Sequence, residues 1–173
     1  MFPRETTEMV RKMSSDPIQE KAERARNLFL EGANCAQAVL GAFCEECGLE
    51  QKAAFRLASG FGGGVSRLRE MCGAVSGMIL AENLMHGYSD LSDKAAKDAH
   101  YRRIRALAEA FRREAGSIIC RELLGLAPHQ SDDPVSEART REYYRKRPCA
   151  DLVALAAGIL AEFEEKNSEQ PSP

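Results

Sequence analysis

The chain has 173 residues, of which 44% are hydrophobic and 29% are charged. These proportions are typical of a soluble globular protein and exclude a disordered chain. Lysine and arginine total 24 against 26 aspartates and glutamates, which gives a formal net charge of -2. General nucleic-acid-binding proteins are usually strongly basic, so the composition argues against nucleic acid as a partner.

The apolar segments of the chain are too short for membrane insertion. The longest runs from Leu152 to Ala161, whereas a membrane-spanning helix needs about 20 apolar residues. No apolar run that would form a signal peptide follows Met1–Glu5. We therefore expect a cytoplasmic protein. In that reducing compartment, the six cysteines point to metal binding or redox chemistry rather than to structural disulfides.

The periodicity of the apolar residues is helical, and no segment shows the alternation that is typical of a strand. Alanine is abundant and β-branched residues are few, which also favours helices. We predict an all-α, bundle-like domain of about seven or eight helices over residues 17–166. An N-terminal helical arm precedes it over 1–16, and a disordered tail follows over 167–173. In chain order, the predicted helices cover residues 5–13, 17–31, 34–47, 51–59, 72–86, 92–115, 117–124, 135–146 and 149–165.

Four of the six cysteines are predicted at or near the first residue of a helix. The unpaired amide groups and the macrodipole of a helix favour negative charge at that end. A thiol placed there has a lowered pKa and forms more thiolate, which is the form that attacks disulfides and binds metals. The four candidates for catalysis are Cys35, Cys72, Cys120 and Cys149.

The remaining cysteines, Cys44 and Cys47, are predicted near the end of a helix, where the dipole disfavours thiolate. No second Cys-x-x-Cys and no paired histidine completes a zinc pattern. We therefore interpret both as core or surface thiols without a chemical role.

A glycine-rich loop precedes Cys72 and offers unhindered amide groups beside its thiol. Two further glycines lie four residues apart on the helix that Cys72 begins. This strip of small residues would let another helix, a cofactor or a second copy of the chain approach closely, so a homodimer is one interpretation. The candidates for contacting a cofactor are Gly62, Gly63, Gly64, Arg67, Gly73 and Gly77.

A basic run from Arg139 to Arg147 lies just before Cys149. It would lower the pKa of that thiol or bind an anion, although such a run is commonly a solvated helix face. His86 lies at the end of the Cys72 helix, where a histidine usually complements the helix dipole.

The block from Cys72 to Gly77 reads Cys-Gly-Ala-Val-Ser-Gly, with Cys35 upstream and Cys120 and Cys149 downstream. This arrangement resembles the C_GCAxxG_C_C family, and the similarity covers roughly residues 28–163. The resemblance implies a small protein with a suggested redox activity that uses these four cysteines. Cys44 and Cys47 fall outside the family's pattern, and the family name supplies no reaction or substrate.

The first functional hypothesis is thiol–disulfide exchange by a thiol-based oxidoreductase with a redox partner. Cys72 is our prediction for the attacking thiol, because the glycine loop, the helix start and two nearby arginines all favour its thiolate. Cys35 is the predicted resolving partner, although four cysteines allow three complete pairings.

Two other hypotheses stay open. The four cysteines together would hold zinc or an iron–sulfur cluster, although their long spacings match no ferredoxin pattern. Alternatively, the chain is a non-catalytic helical interaction module whose cysteines are inert.

Overall fold

The computed structural model describes residues 16–127 and 133–168 of the chain. Secondary structure in these residues is helical, apart from an isolated two-residue bridge between Met71 and Ile119. The all-α prediction is therefore confirmed. The main helices, in chain order, are α1 (Pro17–Leu30), α2 (Cys35–Ala42), α3 (Gln51–Ala58), α4 (Gly73–His86), α5 (Lys94–Ala115), α6 (Cys120–Leu123), α7 (Arg141–Lys146) and α8 (Cys149–Ser168). A 3₁₀ helix (Ser59–Phe61) and a single kinked turn (Gly62–Val65), in which Gly63 and Gly64 have non-helical backbone angles, lie between α3 and α4. The predicted helix over 5–13 and the last five residues of the predicted tail lie outside the described residues.

Helix α2 is the centre of the packing. All of its residues after Cys35 except Gln37 are buried, and it contacts α1, α3, α4 and α8. Its start is held by a capping box, in which Asn34 accepts from the amide of Gln37 and Gln37 accepts from the amide of Asn34. Both side chains also donate to carbonyl groups at the end of α3, at Phe55 and Ser59. Hydrogen bonds within α2 and to α3 therefore fix the start of α2, and with it the position of Cys35.

Helices α2 and α4 approach each other closely because α4 carries glycine where it crosses α2. A Cβ added at Gly77 would lie 2.6 Å from the carbonyl oxygen of Ala36 and 2.9 Å from Cβ of Val39. A Cβ added at Gly73 would lie 3.0 Å from Cβ of Cys35. The small-residue face is therefore covered by α2 within the chain, and it is not a free surface for a second copy.

Three predicted helices are shorter than expected, for reasons of tertiary contact. Helix α2 ends at Ala42 rather than at Cys47, because Nζ of Lys21 donates to the Ala42 carbonyl at 2.9 Å. Helix α6 begins at Cys120 because the carbonyl of Ile118 accepts from the amide of Cys72 instead.

The third of these helices, α7, begins only at Arg141. The hydroxyl of Thr140 caps it by accepting from the amide of Tyr143. The preceding residue, Arg139, reaches back to donate to the carbonyl of Ala33. Arg139 therefore makes a contact with a distant residue, although the sequence predicted that it lies within the helix.

Among the described residues, no helix combines the length and the apolar character needed to cross a bilayer.

Gly77→Ala should destabilise the fold by about 1–3 kcal/mol, because the new methyl group meets backbone atoms of α2. Gly158→Ala on α8 is the matched control, since its Cβ would meet neighbours only at 3.8 and 3.9 Å. Alanine has the higher helix propensity, so the control should gain about 0.5–1 kcal/mol. Urea unfolding measures both changes, and equal effects of the two substitutions would contradict the close packing of α2 on α4.

Candidate functional site

The four predicted cysteines lie where helices begin. Cys35, Cys120 and Cys149 are the first residues of α2, α6 and α8, and Cys72 immediately precedes α4. Although they are far apart in the chain, all four line one cavity of about 50 Å³, which we call the thiol cavity. The prediction that these cysteines lie at helix starts is confirmed. Sequence spacing alone does not show that they share a cavity.

The segment between α3 and α4 reaches the thiol cavity through an unusual backbone. Gly63 and Gly64 have φ values of 65° and 68°, in the left-handed region that glycine adopts readily. The non-glycine residues with positive φ that follow are Val65, Ser66, Arg67 and Arg69. Each of these non-glycine conformations costs roughly 1–2 kcal/mol, so the surrounding contacts must hold the segment in place.

Backbone hydrogen bonds supply that restraint. The amide of Cys120 donates to the carbonyl of Glu70 at 2.6 Å, and the amide of Cys72 donates to the carbonyl of Ile118 at 2.8 Å. The segment before α4 is therefore fastened to the segment before α6, and two of the four thiols are brought to the same place.

The predicted cofactor-contacting residues fall into three groups. Gly63, Gly64 and Gly73 line the thiol cavity, and Gly64 lies so close that an added Cβ would be 2.6 Å from Cβ of Cys120. Gly62 and Arg67 line a neighbouring outer pocket of about 240 Å³. Gly77 packs α4 against α2. The close approach of backbone to thiol explains the glycines at the cavity, whereas contact with a cofactor stays a prediction.

Three arginines surround the thiols. Arg69 is 5% exposed and donates from Nη1 to Sγ of Cys120 at 3.9 Å. The guanidinium groups of Arg139 and Arg147 both lie 4.9 Å from the ring centroid of Tyr143. These three arginines and Tyr143 line the thiol cavity. The basic run before Cys149 therefore contributes its first and last arginines to the site.

Tyr143 is a site residue that the sequence interpretation missed. Aromatic rings hold guanidinium groups by cation–π attraction, and Tyr143 holds two of them beside the thiols. The signal was available in principle, because Tyr143 and Tyr144 are the aromatic residues of an otherwise charged helix.

Cys149 is the thiol most easily ionised. Its pKa is lowered to about 7, first by a hydrogen bond from the Cys35 thiol and then by the charges of Arg147, Arg139 and Arg69, which together outweigh burial. The same hydrogen bond and burial raise the pKa of Cys35 well above its ordinary value. The two thiols therefore form an interacting pair in which Cys149 carries the negative charge.

Cys72 does not have the properties predicted for the attacking thiol. Burial raises its pKa to about 12, although the amides of Ala74 and Val75 act in the opposite direction. Burial also raises the pKa of Cys120, despite the hydrogen bond and charge of Arg69. Desolvation at this helix start outweighs the amide groups, which argues against Cys72 as the thiol that ionises most easily. Which thiol attacks a substrate stays a prediction.

The sulfurs around the thiol cavity lie farther apart than the ligands of a single metal ion. Four sulfurs at about 2.3 Å from one zinc ion would lie roughly 4 Å from one another. Among the described residues, no three cysteine sulfurs lie within 4.8 Å of one another. The donor types suit a soft metal or a cluster, but this arrangement of sulfurs does not fit one tetrahedral ion.

Cys44 and Cys47 lie apart from the thiol cavity. Sγ of Cys44 lies 3.9 Å from the carbonyl oxygen of Leu40, and Sγ of Cys47 lies 3.7 Å from that of Ala81. Burial raises the pKa of both thiols, that of Cys47 to about 11. Their environment agrees with the interpretation of both as thiols without a chemical role.

Comparison with known proteins gives one result. A family model described as "Putative redox-active protein (C_GCAxxG_C_C)" matches residues 33–163, a range that contains all four cysteines of the thiol cavity. No curated protein and no solved structure matches the chain. Because the family model covers most of the sequence, the chain belongs to the C_GCAxxG_C_C family, whose description names redox activity.

Proposed function

We propose that the protein is a thiol–disulfide oxidoreductase in which Cys149 attacks a substrate disulfide and Cys35 resolves the product. The observation that carries this proposal is geometric: Cys149 begins α8 in a cavity that is lined by Cys35 and by three arginines, Arg69, Arg139 and Arg147. The hydrogen bond from Cys35 and these positive charges lower the pKa of Cys149. A thiol with a pKa near ambient pH combines a large thiolate fraction with good nucleophilicity. The two residues line one cavity, so the second step needs no large movement.

In the first step, the Cys149 thiolate attacks one sulfur of a substrate disulfide. A sulfur–sulfur bond forms between Cys149 and the substrate, and the substrate's own sulfur–sulfur bond breaks. The leaving thiolate takes a proton from solvent. The guanidinium groups of Arg147 and Arg139 stabilise the Cys149 thiolate before the attack.

In the second step, Cys35 loses its proton and attacks Cys149. The bond between Cys149 and the substrate breaks, and the second substrate thiolate leaves with a proton. The protein then holds a Cys35–Cys149 disulfide, and two electrons have passed to the substrate. A dithiol reductant restores the two thiols by the reverse exchange.

Cys72 and Cys120 stay protonated near neutral pH in this proposal, because burial raises the pKa of both. They also line the thiol cavity. An iron–sulfur cluster that uses all four cysteines is the competing function, favoured by the convergence of all four on one cavity. A single zinc ion held by all four fits less well, because no three of their sulfurs lie within 4.8 Å of one another among the described residues.

The rate at which iodoacetamide alkylates Cys149 should rise with pH around a midpoint near 7, because the thiolate is the reactive form. Arg147→Gln removes a charge that lowers this pKa, so the midpoint should move up towards the ordinary cysteine value of about 8.5. Arg145→Gln is the matched control, since Arg145 is exposed and pairs with Glu142 on its own helix. Peptide mass spectrometry follows the alkylation of each cysteine. A midpoint that neither substitution moves would contradict the role of Arg147.

Cys35→Ala should accumulate a mixed disulfide when the reduced protein is treated with oxidised glutathione. Cys149 can still attack in this variant, but the resolving thiol is gone. The wild type should instead release both glutathione molecules and form an intramolecular disulfide. Cys149→Ser should react at least about tenfold more slowly, and Cys47→Ser is the control that should behave like wild type. Intact-mass measurement distinguishes these products.

Iron and zinc analysis of the protein purified without oxygen distinguishes thiol exchange from a four-cysteine metal site. Titratable thiols with less than one metal ion in ten molecules support thiol exchange. Stoichiometric iron or zinc that Cys72→Ser abolishes would overturn the proposal in favour of the four-cysteine metal site.

A further inference from the structure

A second cluster of polar side chains lies at the far end of α4 from the thiol cavity. Glu82 and His86 lie one turn apart on α4, and Glu164 faces them from α8. One ligand atom from each residue lies within 4.8 Å of the other two. Along α4, Glu82 and His86 lie about 15 and 20 Å from Cys72. The cluster is therefore independent of the proposed thiol chemistry.

Glu82 is the unusual member of the cluster. Its side chain is 0% exposed, and its Oε2 atom has no hydrogen-bond partner. Only Oε1 is satisfied, by Nε of Arg103 at 2.5 Å. A carboxylate oxygen that is buried without a partner is unfavourable, because it loses its hydration and gains nothing in return. Its place among two other ligand groups indicates that a cation supplies the pairing.

Arg103 orients both carboxylates without neutralising the cluster. Its Nη2 donates to Oε1 of Glu164 at 2.8 Å, and its guanidinium lies 5.0 Å from the ring centroid of Phe163. Two glutamates share one arginine, so the acidic side chains of the cluster outnumber this basic one. Such hydrogen bonds from an outer residue are typical of the groups that hold metal ligands in place.

His86 completes the set of donors. Its Nε2 lies 2.5 Å from Oε2 of Glu164, so the imidazole already faces the second carboxylate. The His86 side chain is 42% exposed, which gives an ion a route from solvent and leaves room for water ligands. A metal that binds here would displace the hydrogen between these two groups.

We propose that Glu82, His86 and Glu164 bind a divalent first-row transition metal ion, with water in the remaining positions. Two carboxylates and one imidazole are hard and intermediate ligands, which suit Mn²⁺, Fe²⁺ or Zn²⁺. The site contains no thiolate, so it differs in chemistry as well as in position from the thiol cavity.

The test is titration of the reduced, metal-free protein with MnCl₂, with free aquated Mn²⁺ followed by electron paramagnetic resonance. Manganese prefers oxygen and nitrogen ligands to thiolates, so the cysteines should not compete. We expect one ion per chain and an increase in melting temperature on binding. His86→Ala and Glu82→Gln should each weaken Mn²⁺ binding by at least about tenfold.

Glu162→Gln is the matched control, because Glu162 lies on α8 and pairs with Lys166 on the same helix. It should bind Mn²⁺ like wild type, as should Cys149→Ser. Since Glu82→Gln alters a buried ion pair and is the variant at risk of misfolding, circular dichroism checks it and the half-exposed His86→Ala decides the question. Absence of stoichiometric Mn²⁺ binding, or binding that His86→Ala leaves unchanged, would overturn the proposal.

Discussion

The balance between desolvation and positive charge at the first residue of α8 is the interaction on which the account depends. Burial alone would keep the Cys149 thiol neutral, as it does at Cys72. At Cys149 the hydrogen bond from Cys35 and the guanidinium groups of Arg147 and Arg139 reverse that outcome. Four cysteines lie at helix starts around one cavity, and of these four only Cys149 has a lowered pKa, first through the hydrogen bond from Cys35 and then through the arginine charges.

The backbone explains how sulfurs so distant in sequence meet. Glycine at positions 73 and 77 lets α4 lie directly on α2, which places Cys72 next to Cys35. Glycine at position 64 lets the preceding segment approach Cys120. The left-handed residues that follow cost free energy, and the hydrogen bonds to the segment before α6 offset it. The Cys-Gly-Ala-x-x-Gly block therefore has two roles: its glycines allow α4 to pack closely on α2, and its cysteine lines the thiol cavity.

Local capping signals predicted the starts of α1 and α2 to within one residue. Asp16 and Asn34 make capping hydrogen bonds within a few residues, so the outcome does not depend on the rest of the fold. The boundaries of other helices were predicted less well, because contacts from distant residues set them. Lys21 donates to the Ala42 carbonyl at the end of α2, and Arg139 donates to the Ala33 carbonyl just before α7.

The choice among the four thiols could not be made from the sequence. Cys72 has a glycine loop and arginines close by in the chain, and these suggested that its thiolate is favoured. Burial is a tertiary property, and it decides against Cys72. The sequence did predict that the basic run before Cys149 would lower the pKa of that thiol. Arg139 acts on Cys149 from ten residues away, and its guanidinium lies over the ring of Tyr143.

The pairing of Cys35 with Cys149 is best tested by identifying the first disulfide that forms. Reduced protein is equilibrated in glutathione buffers of increasing oxidised fraction, quenched with acid, alkylated and mapped by peptide mass spectrometry. We expect Cys35 and Cys149 to become linked first, while Cys72 and Cys120 are still alkylated. A first disulfide that excludes Cys149 would overturn the assignment of Cys149 as the attacking thiol.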